Sequence, residues 1–141
     1  MTIEKVKSLV GGFLLGDNSK VSSLITTPYT FLSQSIDDVS RRCEPALLVE
    51  DWDDAVTDMF RIIPSTQDDY GVFTPQYIKQ PDLSAADDLT EVPIDEELAM
   101  AVVYFLCSYF TTKENGNYEA RAEDVINIYI TNTIDQRNYE N

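Results

Sequence analysis

Five carboxylates lie close together in the middle of the chain, and their oxygen atoms could bind a hard metal ion. They are Glu50, Asp51, Asp53, Asp54 and Asp58. Their density is typical of a calcium loop, but Ala55 and Val56 occupy the positions where an EF-hand needs an oxygen ligand and a glycine. The spacing therefore favours a solvated acidic face, and an oxygen-ligand metal site is the alternative.

Acid–base chemistry has no obvious candidate in this sequence. The chain contains no histidine, so a base that titrates near neutral pH would have to be a perturbed carboxylate, lysine, tyrosine or cysteine. Glu96 and Glu97 could act in catalysis only if the fold placed other acids across a cleft from them. We therefore expect no enzyme, no catalytic residue, no metal and no cofactor, with a carboxylate-based hydrolase as the enzymatic alternative.

Charge and cysteine usage restrict the partners and the compartment. The formal net charge is −15, with 25 acidic and 10 basic residues, which predicts poor affinity for phosphate backbones. Cys43 and Cys107 lie among apolar residues at helical spacing, without a CxxC motif, which predicts buried free thiols. The N-terminal sequence does not have the pattern of a signal peptide, and no apolar run is long enough for a membrane span. We expect a soluble intracellular protein without membrane contact.

The elements predicted from the apolar pattern form a single, mainly α domain over residues 1–141. The fold is expected to be a helical bundle around a C-terminal helical hairpin, residues 94–130, whose first helix contains the uncharged stretch from Leu98 to Cys107. Asp95 is the expected N-cap of that helix, and Gly116 and Asn117 are expected to form the turn and the next cap. Because the first helix is apolar on every side, either the N-terminal helices or a neighbouring subunit must cover it.

The other segments are predicted as follows. Residues 1–44 form N-terminal helices, one capped by Thr2 and another beginning at Thr27-Pro28. Residues 45–93 form an acidic segment with a small two-stranded β element, Val56–Ile63 and Gln76–Lys79, around a long polar loop, Ser65–Thr74. Residues 131–141 are expected to be a frayed helix end or a tail. Between Glu44 and Glu97, fifteen carboxylates accompany only two cations, Arg61 and Lys79.

Three sequence motifs, in this order, are similar to a known family. They are Phe60-Arg-Ile-Ile-Pro64, Tyr77-Ile-Lys-Gln-Pro81, and Ile94-Asp-Glu-Glu-Leu-Ala99 followed by the apolar run 101–109. Together with the N-terminal helical pair, they resemble the head-to-tail connector (adaptor, or head completion) proteins of tailed bacteriophages. The resemblance implies a structural virion protein of the head–tail junction, made in the host cytoplasm. About a dozen copies would form a ring under the portal that extends the DNA channel and docks the tail.

The resemblance also implies partners, and we assign candidate contact residues to each. Docking to the portal protein is assigned to the C-terminal segment, at Ile134, Arg137 and Tyr139. Contact with a tail or nozzle protein is assigned to the loop, at Asp68, Asp69, Tyr70 and Phe73. Subunit packing in the ring is assigned to Val103, Tyr104 and Cys107. Duplex DNA would pass through the channel without tight binding, because an acidic ring repels phosphates. The alternative is an acidic DNA mimic that inhibits a DNA-binding enzyme.

Overall fold

The computed structural model describes residues 1–14, 25–26, 29–67, 70–71, 73–111 and 115–140, without the side chains of 64–67, 73–74, 115–116 and 134–140. The protein is mainly α, as predicted, with a small antiparallel sheet. The helices of the described part are α1 (Ile3–Phe13), α2 (Thr30–Arg42), α3 (Ala99–Phe110) and α4 (Asn115–Glu140). The strands are β1 (Val49–Asp51), β2 (Met59–Gln67) and β3 (Phe73–Lys79). Short 3-10 turns at Ala46–Leu48 and Glu96–Leu98 precede β1 and α3.

Helix α1 begins as predicted, and the acidic segment completes its first turn. Thr2 is the N-cap, and its hydroxyl accepts a hydrogen bond from the Lys5 amide at 3.2 Å. The first amides of a helix have no partner within the helix. Here the amides of Ile3 and Glu4 donate to the carbonyls of Thr90 and Asp88, each at 2.9 Å. The acidic segment therefore caps α1.

Helix α2 begins later than predicted. It starts at Thr30, and Tyr29 precedes it in the left-handed conformation with φ of 60°. A left-handed residue cannot continue a right-handed helix, so α2 cannot extend back past Tyr29. The predicted start, Thr27-Pro28, lies outside the described residues. The buried face of α2 follows helical spacing, and its members are Leu32, Ser35, Ile36, Val39 and Ser40.

The sheet has three strands, so the prediction of a two-stranded element is wrong. The strand order is β1-β3-β2, and both pairs are antiparallel. Strand β1 was missed because three residues are too few to show an alternating pattern. Strand β2 continues through Pro64, at a point where the register shifts between Ile63 and Thr66. Pro64 and Pro75 therefore both lie at this irregularity of the ladder, which is where strands tolerate a residue without an amide proton.

The predicted long loop Ser65–Thr74 is also wrong, because both strands extend into it. Gln67 pairs with Phe73, so the connection is limited to residues 68–72. Gly71 takes a φ of 81° in this connection, a conformation that glycine adopts without steric cost. Tyr70, beside it, is 92% exposed.

Helix α3 is the centre of the core and is covered by its own chain. It contacts α1, α2 and α4. Its buried residues lie on every side of the helix: Ala99, Ala101, Val102, Val103, Phe105, Leu106, Cys107 and Ser108. The predicted apolar stripe of α4 supplies one wall, with Tyr118, Ala122, Ile126 and Tyr129 buried and Val125 partly buried. Helix α4 begins at Asn115, so the prediction of a turn at Gly116 and a cap at Asn117 is wrong.

Candidate functional site

The outer face of the sheet places two of the five predicted carboxylates around one tyrosine. Tyr77 of β3 pairs with Ile62 of β2 and with Glu50 of β1. Its hydroxyl lies 3.1 Å from Glu50 Oε2 and 3.1 Å from Asp58 Oδ1, so its single proton can be donated to either carboxylate. Lys79 is two residues further along β3, so it lies on the same face as Tyr77. Its Nζ lies 2.9 Å from Glu50 Oε1.

These contacts shift the pKa values of the group in opposite directions. The hydrogen bond from Lys79, and then that from Tyr77, lower the pKa of Glu50, because both stabilise its ionised form. Burial, followed by the hydrogen bonds to Asp58 and Glu50, raises the pKa of Tyr77 to about 12. At neutral pH Tyr77 is therefore a hydrogen-bond donor and not a base.

The five predicted carboxylates do not converge on a common point. Asp51 accepts a hydrogen bond from the Gln76 side chain at 3.3 Å, and Asp53 accepts one from the Ala55 amide at 2.8 Å. All five residues are exposed. Within the described part of the chain, no group of three metal-ligating side chains could hold a metal ion. The arrangement is that of carboxylates spread along a surface.

Three large apolar side chains are exposed on or beside the same face. Ile62 is 55% exposed, Met59 is 47% exposed and Trp52 is 37% exposed. The opposite face of the sheet faces the core, where Ile63 and Ile78 are buried. This feature does not follow from the sequence, because a strand over Val56–Ile63 does not by itself fix the side of the sheet on which Ile62 lies.

A buried carboxylate joins the acidic segment to the helices. Asp95 was predicted to cap the helix that follows it, but its side chain makes no such bond. Instead its carboxylate accepts hydrogen bonds from the Leu47 amide at 2.9 Å, the Ala46 amide at 3.2 Å and the Tyr129 hydroxyl at 2.8 Å. Asp95 therefore caps the 3-10 turn that leads into β1. We refer to Asp95, Tyr129 and the amides of Ala46 and Leu47 as the Asp95 junction.

Tyr129 is held in this junction from both sides. Its hydroxyl donates to Asp95 and accepts from the Ala46 amide at 3.0 Å. Burial is the largest cause that raises the pKa of Tyr129, and the Asp95 hydrogen bond adds to it, whereas the Ala46 amide lowers it; the result is a pKa of about 12. The phenol is therefore protonated at all physiological pH values.

Arginine side chains close the C-terminal end of α2. Arg61 of β2 donates from Nε to the Ser40 carbonyl at 2.7 Å and from Nη2 to the Cys43 carbonyl at 3.0 Å. The Arg42 guanidinium lies over the Phe105 ring, 4.7 Å from its centre. Cations at this position complement the negative end of the helix dipole. The two arginines line an open pocket of about 300 Å³ between α2, β2 and α4.

The residues predicted to pack between subunits lie in the interior of the single chain. Val103 and Cys107 have no exposed surface, so they cannot contact a neighbour in this conformation. Tyr104 is partly buried and stacks on Tyr118, with a distance of 6.5 Å between ring centres. The sequence left two ways to cover α3, by the N-terminal helices or by a neighbouring subunit. In the structure, helices of the same chain cover it.

The structure describes the other predicted contact residues only in part. Ile134, Arg137 and Tyr139 belong to the last turns of α4, but their side chains lie outside the described part. Asp68 and Asp69 lie outside the described residues altogether. The helix is continuous to Glu140, so residues 131–140 form a helix end and not an unstructured tail.

Comparison with protein-family models, with curated proteins and with solved structures finds no match for this chain. No helix in the described residues is both long enough and apolar enough to cross a membrane.

Proposed function

We propose that this chain is a structural virion protein, a head-to-tail connector that forms a ring under the portal of a tailed bacteriophage. In this proposal it has no enzymatic activity, and α3 and α4 form the helical hairpin at the centre of a bundle. The ring extends the DNA channel and docks the tail. The portal protein and a tail or nozzle protein are its partners.

The observation that carries the proposal is the separation of charge from the core. The segment from Glu44 to Glu97 carries fifteen carboxylates against two cations, and those of β1 and the following loop are exposed. An acidic surface repels phosphate groups, so duplex DNA beside it is free to slide. A channel lining requires this property, and an enzyme that acts on DNA requires the opposite one.

The geometry removes one argument that favoured a ring. The apolar excess of α3 does not need a second subunit, because α1, α2 and α4 cover it. Ring contacts must therefore be formed by exposed residues, which permits a stable monomer before assembly. The C-terminal end of α4 is one candidate, since Thr131 and Asn132 are exposed and the helix continues to Glu140.

A DNA mimic that inhibits a DNA-binding enzyme is the second candidate, and one observation favours it. A monomer with a closed core is what such an inhibitor needs, and this chain covers its central helix without help. The position of the acids favours the connector, because a mimic presents carboxylates over an extended surface, whereas here they are concentrated in one segment.

Sedimentation velocity, with and without the portal ring of the same virus, separates the two proposals. A dozen chains of 16.0 kDa would form a particle of about 190 kDa, or add that mass to the portal. The measurement is made at about 0.1 M and 0.5 M salt, because salt screens the repulsion between acidic subunits. A chain that stays monomeric in every condition, and that displaces DNA from a DNA-binding enzyme, would contradict the connector proposal.

Deletion of residues 131–141 tests the assignment of portal docking. The deletion keeps the buried residues of α4 up to Tyr129, and Thr131 and Asn132 are exposed, so we expect the shortened chain to remain folded. It should no longer join to DNA-filled heads. A matched control is the deletion of 140–141 alone, which retains Ile134, Arg137 and Tyr139. Normal assembly by the longer deletion would remove this assignment.

A further inference from the structure

The outer face of the sheet combines exposed apolar side chains with carboxylates. We propose that this face, which we call the Trp52–Ile62 surface after Trp52, Met59 and Ile62, is a docking site for a partner protein. The occupant is a lysine- or arginine-rich segment that also carries apolar side chains. The inference does not depend on the formation of a ring.

The pairing of the strands places the three apolar residues on one face. Ile62 lies opposite Tyr77 and Met59 lies opposite Lys79, and residues 77 and 79 share a face because side chains alternate along a strand. Glu50 contacts both Tyr77 and Lys79, so it lies on this face as well. With strands about 4.8 Å apart, the face is about 10 Å wide from β1 to β2.

Trp52 extends this surface beyond the end of β1. Its amide donates to the Pro75 carbonyl at 2.9 Å, which continues the ladder between β1 and β3 by one step. By alternation, residue 52 lies on the same face as Glu50. Exposed apolar side chains are common singly, but a group of three on one face of a small sheet indicates a contact surface.

The surrounding charges select the occupant. Glu50 lies on this face, Asp53 and Asp54 are exposed just after Trp52 in the chain, and Lys79, a cation on the same face, is already paired with Glu50. Nucleic acids and anionic membranes would be repelled by these carboxylates. The same face of a second copy would be repelled for the same reason. A basic segment with apolar side chains gains both from the carboxylates and from the exposed apolar area.

The position of Trp52 gives a direct measurement, because it is the only tryptophan of the chain. The probe is a peptide of about ten residues with alternating lysine and leucine, the kind of extended segment that docks on a sheet. We expect its binding to shift the Trp52 emission to shorter wavelength as the indole loses water. Peptides with alternating lysine and serine, or glutamate and leucine, are expected to bind at least tenfold more weakly.

Two pairs of matched variants test the location. Ile62→Ser should weaken binding of the lysine–leucine peptide about tenfold, whereas Leu89→Ser, at a side chain that is 75% exposed elsewhere in the acidic segment, should change it less than about twofold. Asp54→Asn should weaken binding about threefold, whereas Glu119→Gln on α4, with the same change of net charge, should not. Circular dichroism of each variant confirms that it is folded.

Three outcomes would overturn the inference. One is an unchanged Trp52 emission at saturating peptide. Another is equal weakening by Ile62→Ser and Leu89→Ser, which would place binding elsewhere. A third is equal binding of the lysine–serine and lysine–leucine peptides, which would reduce the interaction to charge alone. These measurements use only the monomer and a peptide. A negative result would therefore not contradict the connector proposal, and a chain that forms no ring could still bind the peptide.

Discussion

Replacing Asp95 with alanine should destabilise the protein more than any exposed carboxylate replacement. In the folded chain this buried carboxylate accepts from the Leu47 amide at 2.9 Å, the Ala46 amide at 3.2 Å and the Tyr129 hydroxyl at 2.8 Å. Hydrogen bonds to a charged group contribute about 1.5–3 kcal/mol each, and a buried donor left without a partner costs about 1–3 kcal/mol. The Ala46 amide keeps its hydrogen bond to Tyr129, whereas the Leu47 amide and the Tyr129 hydroxyl each lose the acceptor that Asp95 provides.

We therefore expect Asp95→Ala to lower the free energy of unfolding by about 3–4 kcal/mol. Asp95→Asn keeps an oxygen for Leu47 and allows the Tyr129 hydroxyl to accept instead of donate, so its cost should be about 1–2 kcal/mol. Tyr129→Phe should cost about 1.5–3 kcal/mol, because it removes one hydrogen bond to the carboxylate. The double variant should cost less than the sum of the two single changes, because they remove the same bond.

The assay is urea unfolding at pH 7, followed by circular dichroism and by Trp52 fluorescence. Glu97→Gln is the matched control, because Glu97 is an exposed carboxylate in the same turn, and its change should lie within about 0.5 kcal/mol of zero. If Asp95→Ala lowered the free energy of unfolding no more than Glu97→Gln does, the role assigned to Asp95 would be refuted. Additive effects of the Asp95 and Tyr129 replacements would also refute it, because they would mean that the two side chains do not share a bond.

Three further predictions concern the core and its titrating groups. Burial raises the pKa of Cys43 and Cys107 to about 12, so both thiols should react slowly with a disulfide reagent at pH 8 and rapidly in 6 M guanidinium; rapid reaction of the native protein would contradict this. The pKa of Tyr129 is about 12 when folded and near 10 when unfolded, so the folded state keeps a proton that the unfolded chain loses. Stability should therefore fall as the pH rises from 10 to 12, with a smaller slope in Tyr129→Phe, and equal slopes would count against the junction. Val103→Ala should cost about 2 kcal/mol with an unfolding midpoint that does not depend on protein concentration, whereas Ile128→Ala, at an exposed position of α4, should cost almost nothing. A midpoint that rises with concentration would show that subunits, and not the chain itself, cover α3.

The helical faces could be predicted from the sequence because the contacts that define them repeat at short intervals. Val6 and Val10 of α1, like Ile36 and Val39 of α2, are one turn apart and are buried together. Such a pattern can be recognised without knowing which element packs against the helix. The same reasoning assigned the stripe of α4, whose members the structure buries.

The strands and the buried junction could not be predicted in the same way, because their partners are distant in the chain. Asp95 and Leu47 are separated by 48 positions, and Asp95 and Tyr129 by 34. An acidic residue just before a helix can cap that helix, or it can accept hydrogen bonds from distant groups, as Asp95 does from Leu47 and Tyr129. The local sequence does not distinguish the two. The predicted strands end before Pro64 and begin after Pro75, whereas both prolines lie within strands, at one irregularity of the ladder. A bulge depends on two strands at once, so neither strand alone reveals it.

The acidic segment is tied to the helical core at several points, and this has a consequence for its role. Asp95 binds Tyr129, the carbonyls of Asp88 and Thr90 cap α1, and Arg61 of β2 caps α2. Each bond links the charged part of the chain to a helix, so mutual repulsion of the carboxylates cannot detach the segment without breaking them. The sheet therefore presents its carboxylates and apolar side chains in fixed positions.

A surface that is fixed before binding avoids much of the ordering cost that a flexible acidic loop would incur. The core that supports it is complete within one chain, so the surface is available in the monomer and does not wait for assembly. Both proposals use this property. A connector must present its acidic surface to DNA and its docking surfaces to partners without rearranging, and a basic segment that docks on the Trp52–Ile62 surface would bind a site that the Asp95 junction and the Arg61 cap have already positioned.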